Sequence, residues 1–140
     1  MLLHPSDQQK IRQSLDALPS AVRLLFFTQS LGCEGCAAAG EIVAELAKLS
    51  EKLSLEEVNF VLDKEQVAAY GVDRVPAIAI LGKEDYGIRF FGVPAGYEFT
   101  SLLDAVMLAG RGESGLSADS RALLAAVTEP TSLQVFSTPT

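Results

Sequence analysis

Two cysteines, Cys33 and Cys36, are the residues whose type and spacing suit them best to covalent chemistry. Three positions apart, they cannot staple a fold together. Structural zinc wants four ligands, and the sequence offers only His4 as a further nitrogen donor. A Cys-x-x-Cys pair becomes a redox signal when it follows a strand and opens a helix. Two other readings stand beside it: a pair of small buried residues that happen to be cysteine, and a metal site shared across two protomers.

The flanking sequence meets the redox condition. Val22 to Thr28 is almost unbroken apolar sequence, which suits a strand covered on both faces. Ser30 to Gly35 is a turn, and residues 37–53 read as a helix with Ile42, Leu46, Leu49 and Leu53 on one stripe. Free N–H groups and the positive end of the helix dipole therefore point at the cysteines and favour a thiolate. Cys33 lies nearest the helix end and is assigned as nucleophile. Cys36, one turn into the helix and more buried, is assigned as the resolving thiol. Glu34 opposes the thiolate at Cys33 yet is welcome at a helix amino terminus, so its net effect stays open.

The elements around this unit follow from periodicity and punctuation. Residues 5–18 read as a helix capped by Ser6, with Ile11, Leu15 and Leu18 on one face. Glu56 to Leu62 alternates and predicts a second strand with Val58, Phe60 and Leu62 on one side. Lys64 to Tyr70 predicts a short helix, Ala77 to Leu81 a third strand and Ile88 to Phe91 a fourth, the last two forming a hairpin. Phe99 to Gly110 predicts another helix, Ala118 to Val127 a further one, and Leu133 to Ser137 a fifth strand. From Val22 to Gly110 the order is β-α-β-α-β-β-α. The fold class is α/β: a mixed four-stranded sheet with helices on both faces, plus an N-terminal helix and a C-terminal helix-strand extension.

Composition narrows the partners. The chain has 140 residues, 49% hydrophobic and 21% charged, and a formal net charge of −7. That balance suits one globular core and disfavours nucleic acid and anionic membrane surfaces. No apolar run is long enough to span a bilayer, and the amino terminus shows no secretory pattern, so a cytoplasmic setting is expected. No Gly-rich phosphate loop is present, so no nicotinamide or flavin cofactor is expected; the electron carrier would be the Cys33–Cys36 disulfide itself.

The element order, with Cys33-Glu34-Gly35-Cys36 at the turn, resembles the thioredoxin fold. The segment from Tyr70 to Ile78 resembles the stretch leading to that family's cis-proline. The resemblance implies that Pro76 is this proline, in a cis Val75-Pro76 bond, and that the backbone of Val75 pairs with a substrate chain. Phe91 to Leu103 is similar to a stretch of the glutaredoxin-like protein disulfide oxidoreductases, which fuse two thioredoxin-fold units. It also resembles the amino-terminal domain of the alkyl hydroperoxide reductase flavoprotein, whose first unit lacks the cysteine pair. Two departures stand out. Glu34-Gly35 replaces thioredoxin's Gly-Pro, and Phe27 stands where thioredoxin has a buried Asp.

The remaining polar residues read as structural. His4 is a solvated helix-flanking residue, and Glu56 and Glu57 mark a solvated strand start. Arg74 is a surface loop residue, or else sits near the cysteines where its charge favours a thiolate. Phe90 and Phe91 are core and rim of an edge strand.

A weak internal repeat appears at an offset of 109: Arg12, Leu15, Ala17, Leu24 and Phe27 match Arg121, Leu124, Ala126, Leu133 and Phe136. It predicts a thioredoxin-fold unit over 1–112, with 113–140 as the helix and strand that would begin a second, missing unit. The chain is thus expected to be the amino-terminal half of a two-unit protein or a relic of one. The lone strand is expected to add to a sheet edge or to mediate a homodimer through residues 132–138. Two functions follow. One is a thiol-disulfide oxidoreductase module acting on protein thiols and disulfides, with a reductase as electron donor. The other is a redox-weak structural or docking unit of a two-unit oxidoreductase or peroxide-reductase system.

Overall fold

The computed structural model describes residues 3–138. Its elements run α1 (Pro5–Asp16), β1 (Val22–Thr28), α2 (Cys36–Ala47), β2 (Leu53–Asn59), α3 (Lys64–Ala69), β3 (Ala77–Leu81), β4 (Ile88–Phe91), α4 (Tyr97–Arg111) and α5 (Ala118–Ala125). The four strands form one sheet in the order β2-β1-β3-β4. β1 is parallel to β2 and antiparallel to β3, and β3 and β4 form the antiparallel hairpin.

The apolar run of β1 is explained by its neighbours on every side. Leu24 and Phe26 face a core shared with Ile11 and Leu15 of α1, Val43 and Leu46 of α2, and Leu102 and Val106 of α4. Leu25 and Phe27 face the opposite side, against Val58, Val72, Ala77 and Ala79, with Val67 and Tyr70 from the α3 region packed over them. Helices therefore cover both faces, three on one and a short one on the other. Among the described residues no helix is long and apolar enough to cross a membrane.

Several boundaries differ from the sequence expectation. β2 begins at Leu53 and ends at Asn59, where Glu56 to Leu62 was expected. The Asn59 side chain accepts from the N–H groups of Val61 and Leu62, both at 3.0 Å, and Asp63 accepts from the Asn59 N–H at 2.8 Å. This turn takes the backbone out of the sheet, so Phe60 and Leu62 continue the alternation without continuing the strand, and Leu62 is exposed. Glu56 and Glu57 are consequently in the middle of β2 and not at its start. The α2 helix stops at Ala47 because Leu49 and Leu53 already belong to the turn and to β2. Helix α1 stops at Asp16 and is capped by His4, whose Nδ1 accepts from the Ser6 N–H at 3.3 Å. Helix α5 also stops short, at Ala125 rather than Val127.

The fifth strand, Leu133 to Ser137, does not form. It pairs with no sheet edge, and α5 before it buries none of its side chains.

Arg89 of β4 ties the hairpin to the end of α3. Its guanidinium reaches both Asp85 carboxylate oxygens, at 2.9 and 2.6 Å, and its Nε donates to the Tyr70 carbonyl at 3.0 Å. The Arg89 hydrogen bonds hold the Asp85 carboxyl below its ordinary pKa. Arg89→Ala leaves these acceptors without that donor and is expected to cost about 1–3 kcal/mol of stability in denaturant unfolding. Because the Asp85 pKa is depressed in the folded state, its contribution is present above about pH 4 and is lost as the pH falls further. The stability gap between the parent and Asp85→Asn should therefore narrow in acid; a gap unchanged down to about pH 2 would contradict the pairing.

Candidate active site

The turn between β1 and α2 is shaped by its own sequence. The Gln29 side-chain amide donates to the Leu31 carbonyl at 2.8 Å, folding the loop back before the cysteines. Gly32 has φ +71°, a backbone conformation most side chains resist. Gly35 is the N-cap of α2 and offers no side-chain capping bond, so the first N–H groups of the helix stay open toward the turn.

Cys36 is the first residue of α2, not one turn inside it. The two cysteines form a disulfide with their Cα atoms 5.5 Å apart. Cys36 is 5% exposed, whereas Cys33 is half-exposed at the tip. The expected asymmetry in burial between the two cysteines is present, with Cys36 opening the helix one residue before the expected start at 37.

Pro76 arrives from the loop before β3. The Val75-Pro76 bond is cis, as the resemblance implied. Contact with the cysteine turn is made through Gly35: a Cβ built there would stand 2.9 Å from Val93 Cγ2 and 3.5 Å from Pro76 Cγ. Pro76 is buried and its carbonyl accepts from the Gly92 N–H at 2.9 Å. Among the described residues, no hydrogen bond within the chain uses the backbone of the half-buried Val75.

Arg74 does not join the sulfurs. Its guanidinium lies 4.8 Å from the Phe91 ring centroid and pairs with Asp73 at 3.0 Å, both partners well exposed. On the other side of the cysteines a groove of about 590 Å³ opens, lined among others by Gln29, Cys33, Cys36, Glu57, Asn59 and Asp63. Sequence reading missed Glu57 as a member of this site. The signal that finds it is register: β2 runs parallel to β1 with Glu57 opposite Phe26, on the sheet face that α2 covers. No group of three metal-ligating side chains is gathered among the described residues.

A disulfide at a strand–turn–helix junction, in a turn whose Gly35 packs against a cis-proline, defines a thiol-disulfide oxidoreductase module. No protein-family model matches the chain. A probable thioredoxin of Methanothermobacter marburgensis is 36% identical over 87 residues, covering 61% of this chain and 96% of that protein. A protein disulfide oxidoreductase from Aeropyrum pernix superposes with TM-score 0.80 at 24% identity, over 90% of this chain and 56% of that one. The alkylhydroperoxide reductase AhpF of Enterococcus faecalis gives TM-score 0.78 at 25% identity, over 90% of this chain and 61% of that one. The chain belongs to the thioredoxin family. It spans little more than half the length of the two solved structures.

After reduction, brief alkylation followed by peptide mapping is expected to label Cys33 several-fold faster than Cys36. Preferential labelling of Cys36 would reverse the assignment.

Proposed function

We propose that this chain exchanges disulfides with protein substrates, with Cys33 as nucleophile and Cys36 as resolving thiol. The observation that carries the reading is a Cys33–Cys36 disulfide with Cys33 the more accessible partner, in a turn whose Gly35 packs against Pro76, with the Val75 backbone unclaimed by hydrogen bonds among the described residues. An extended substrate segment can pair with that backbone as a strand pairs with a sheet edge.

In the reduced protein the Cys33 thiolate attacks one sulfur of a substrate disulfide, and the other substrate sulfur leaves as a thiolate. Cys36, having lost its proton, then attacks the Cys33 sulfur of the mixed disulfide. The second substrate thiolate departs and the Cys33–Cys36 bond forms. Two electrons have passed to the substrate, and a reductase must return two for the next cycle. No bound cofactor is needed, because the disulfide carries the electrons. A cytoplasmic setting, where thiols are kept reduced, fits this direction of flow.

We also propose that residues 113–140 are the opening helix and strand of a second unit of the same fold. The observation behind this is the offset match, in which Leu124, Val127, Leu133 and Phe136 take the places of the buried Leu15, Leu18, Leu24 and Phe27 and stand exposed. Residues 132–138 would then pair with a strand outside the unit 1–112, including one from a second copy of the chain.

Cys33→Ser is expected to abolish disulfide exchange, whereas Cys36→Ser should accumulate mixed disulfides with substrate proteins. The pH profile of Cys33 alkylation separates this function from a redox-weak docking role. A thiolate forming well below the free-cysteine value of about 8.5 supports exchange, and an ordinary profile supports docking. For the second proposal, removal of residues 117–140 should shift the melting temperature by no more than about 2 °C. It should also abolish any self-association seen in sedimentation. A large loss of stability would mean that the segment belongs to the first unit.

A further inference from the structure

The groove beside the sulfurs is lined by two carboxylates, Glu57 and Asp63, and by no lysine, arginine or histidine. The two acids differ in what they do. Asp63 accepts the Asn59 N–H at 2.8 Å and helps to hold the turn that ends β2. Glu57 has no hydrogen bond or ion pair among the described residues. The alternation of β2 accounts for this. Glu56 projects to the opposite face, where it takes Arg23 at 3.3 Å and the Gln66 amide at 3.0 Å. The nearby cation is thus committed to the neighbouring carboxylate, and Glu57 is left to the groove.

The walls leave room for a guest. Ala37 and Gly40 line the α2 side, and a Cβ at Gly40 would stand 3.1 Å from the Phe26 ring, so the helix already lies close against β1 there. The other walls are polar, from Thr28, Gln29 and Asn59. A long side chain with a cationic head matches this groove. Its stem passes the small residues and its charge meets Glu57 in a site that offers no competing cation.

We propose that the substrate disulfides of this protein carry a lysine or arginine close to the attacked cysteine, and that Glu57 selects them. The inference rests on the disulfide-exchange reading and names its substrate class. Because Glu57 is exposed, its preference is modest and salt-dependent, about three- to tenfold in rate between basic and acidic substrates at low ionic strength.

The test uses the full chain, reduced beforehand, and three peptide disulfides that differ only in lysine, serine or glutamate flanking the cysteines. Second-order rates are read by stopped flow at low and high salt. The lysine peptide is expected to react fastest and the glutamate peptide slowest, with the ratio shrinking in salt. Glu57→Gln should reduce the lysine-to-glutamate ratio and Glu57→Lys should invert it. Glu129→Gln, which removes the same charge on the exposed carboxyl-terminal segment, should leave the ratio in place. A ratio near one in the parent, or one that Glu57→Lys does not alter, overturns the proposal while exchange itself stands. Failure of all three peptides to react overturns the exchange reading and this proposal with it.

Discussion

A Cβ at Gly35 would stand 2.9 Å from a Val93 methyl, so any side chain there would have to push Val93 aside, and Gly35 rests against Pro76; the site is built around that approach. Three stretches distant in the sequence meet there: the turn after β1, the loop before β3 and the loop after β4. Each is set by an element whose burial has nothing to do with redox chemistry. β1 is held from both sides by β2 and β3, which fixes where its turn begins. Pro76 is buried at the start of β3, with its carbonyl tied to Gly92 just past β4. Val93 follows at once. The hairpin thus delivers two of the three contacts as one body, and the cysteine turn closes on them where a missing side chain leaves space.

The same arrangement divides the surroundings of the sulfurs. On the hairpin side lie Pro76 and Val93, an apolar margin against Gly35. On the β2 side lies a polar groove with carboxylates. A partner approaching Cys33 meets backbone and apolar groups on one flank and negative charge on the other. In the proposed exchange, shape near Pro76 would bear on docking of an extended chain and charge near Glu57 on which chain is favoured.

Much of this was legible in the sequence, and what was not has identifiable causes. The β1 run and the strand–turn–helix setting of the cysteines are local signals that the structure bears out, and the cis Val75-Pro76 bond agrees with the family resemblance. The end of β2 was misread because alternation persists through Phe60 and Leu62, while the event that ends the strand is an Asn59 side chain bonding to its own turn. Glu57 was missed for a different reason. Its place in the site depends on the register of a parallel pair, and parallel partners are joined by a crossover too long for sequence to fix the register. The Gly35 approach is invisible for the same reason, since the atoms it meets come from residues 76 and 93.

Residues 133–137 show what a strand owes to its neighbours. Leu24 and Phe27 are each 0% exposed, whereas their counterparts Leu133 and Phe136 are 88% and 90% exposed. These paired residues are of the same type, and a helix precedes each stretch, α1 in one case and α5 in the other. A helix satisfies its backbone within itself, so it needs only a cap, and Ser117 supplies one by accepting from the Ser120 N–H at 3.1 Å. A strand satisfies its backbone only through another strand. β1 has β2 on one side and β3 on the other, while residues 133–137 have neither and form no strand; the stretch 131–137 also carries Thr131 and Gln134 where β1 has Val22 and Leu25. Hydrophobic pattern states which face would be buried. The partner strands decide whether there is a sheet in which to bury it.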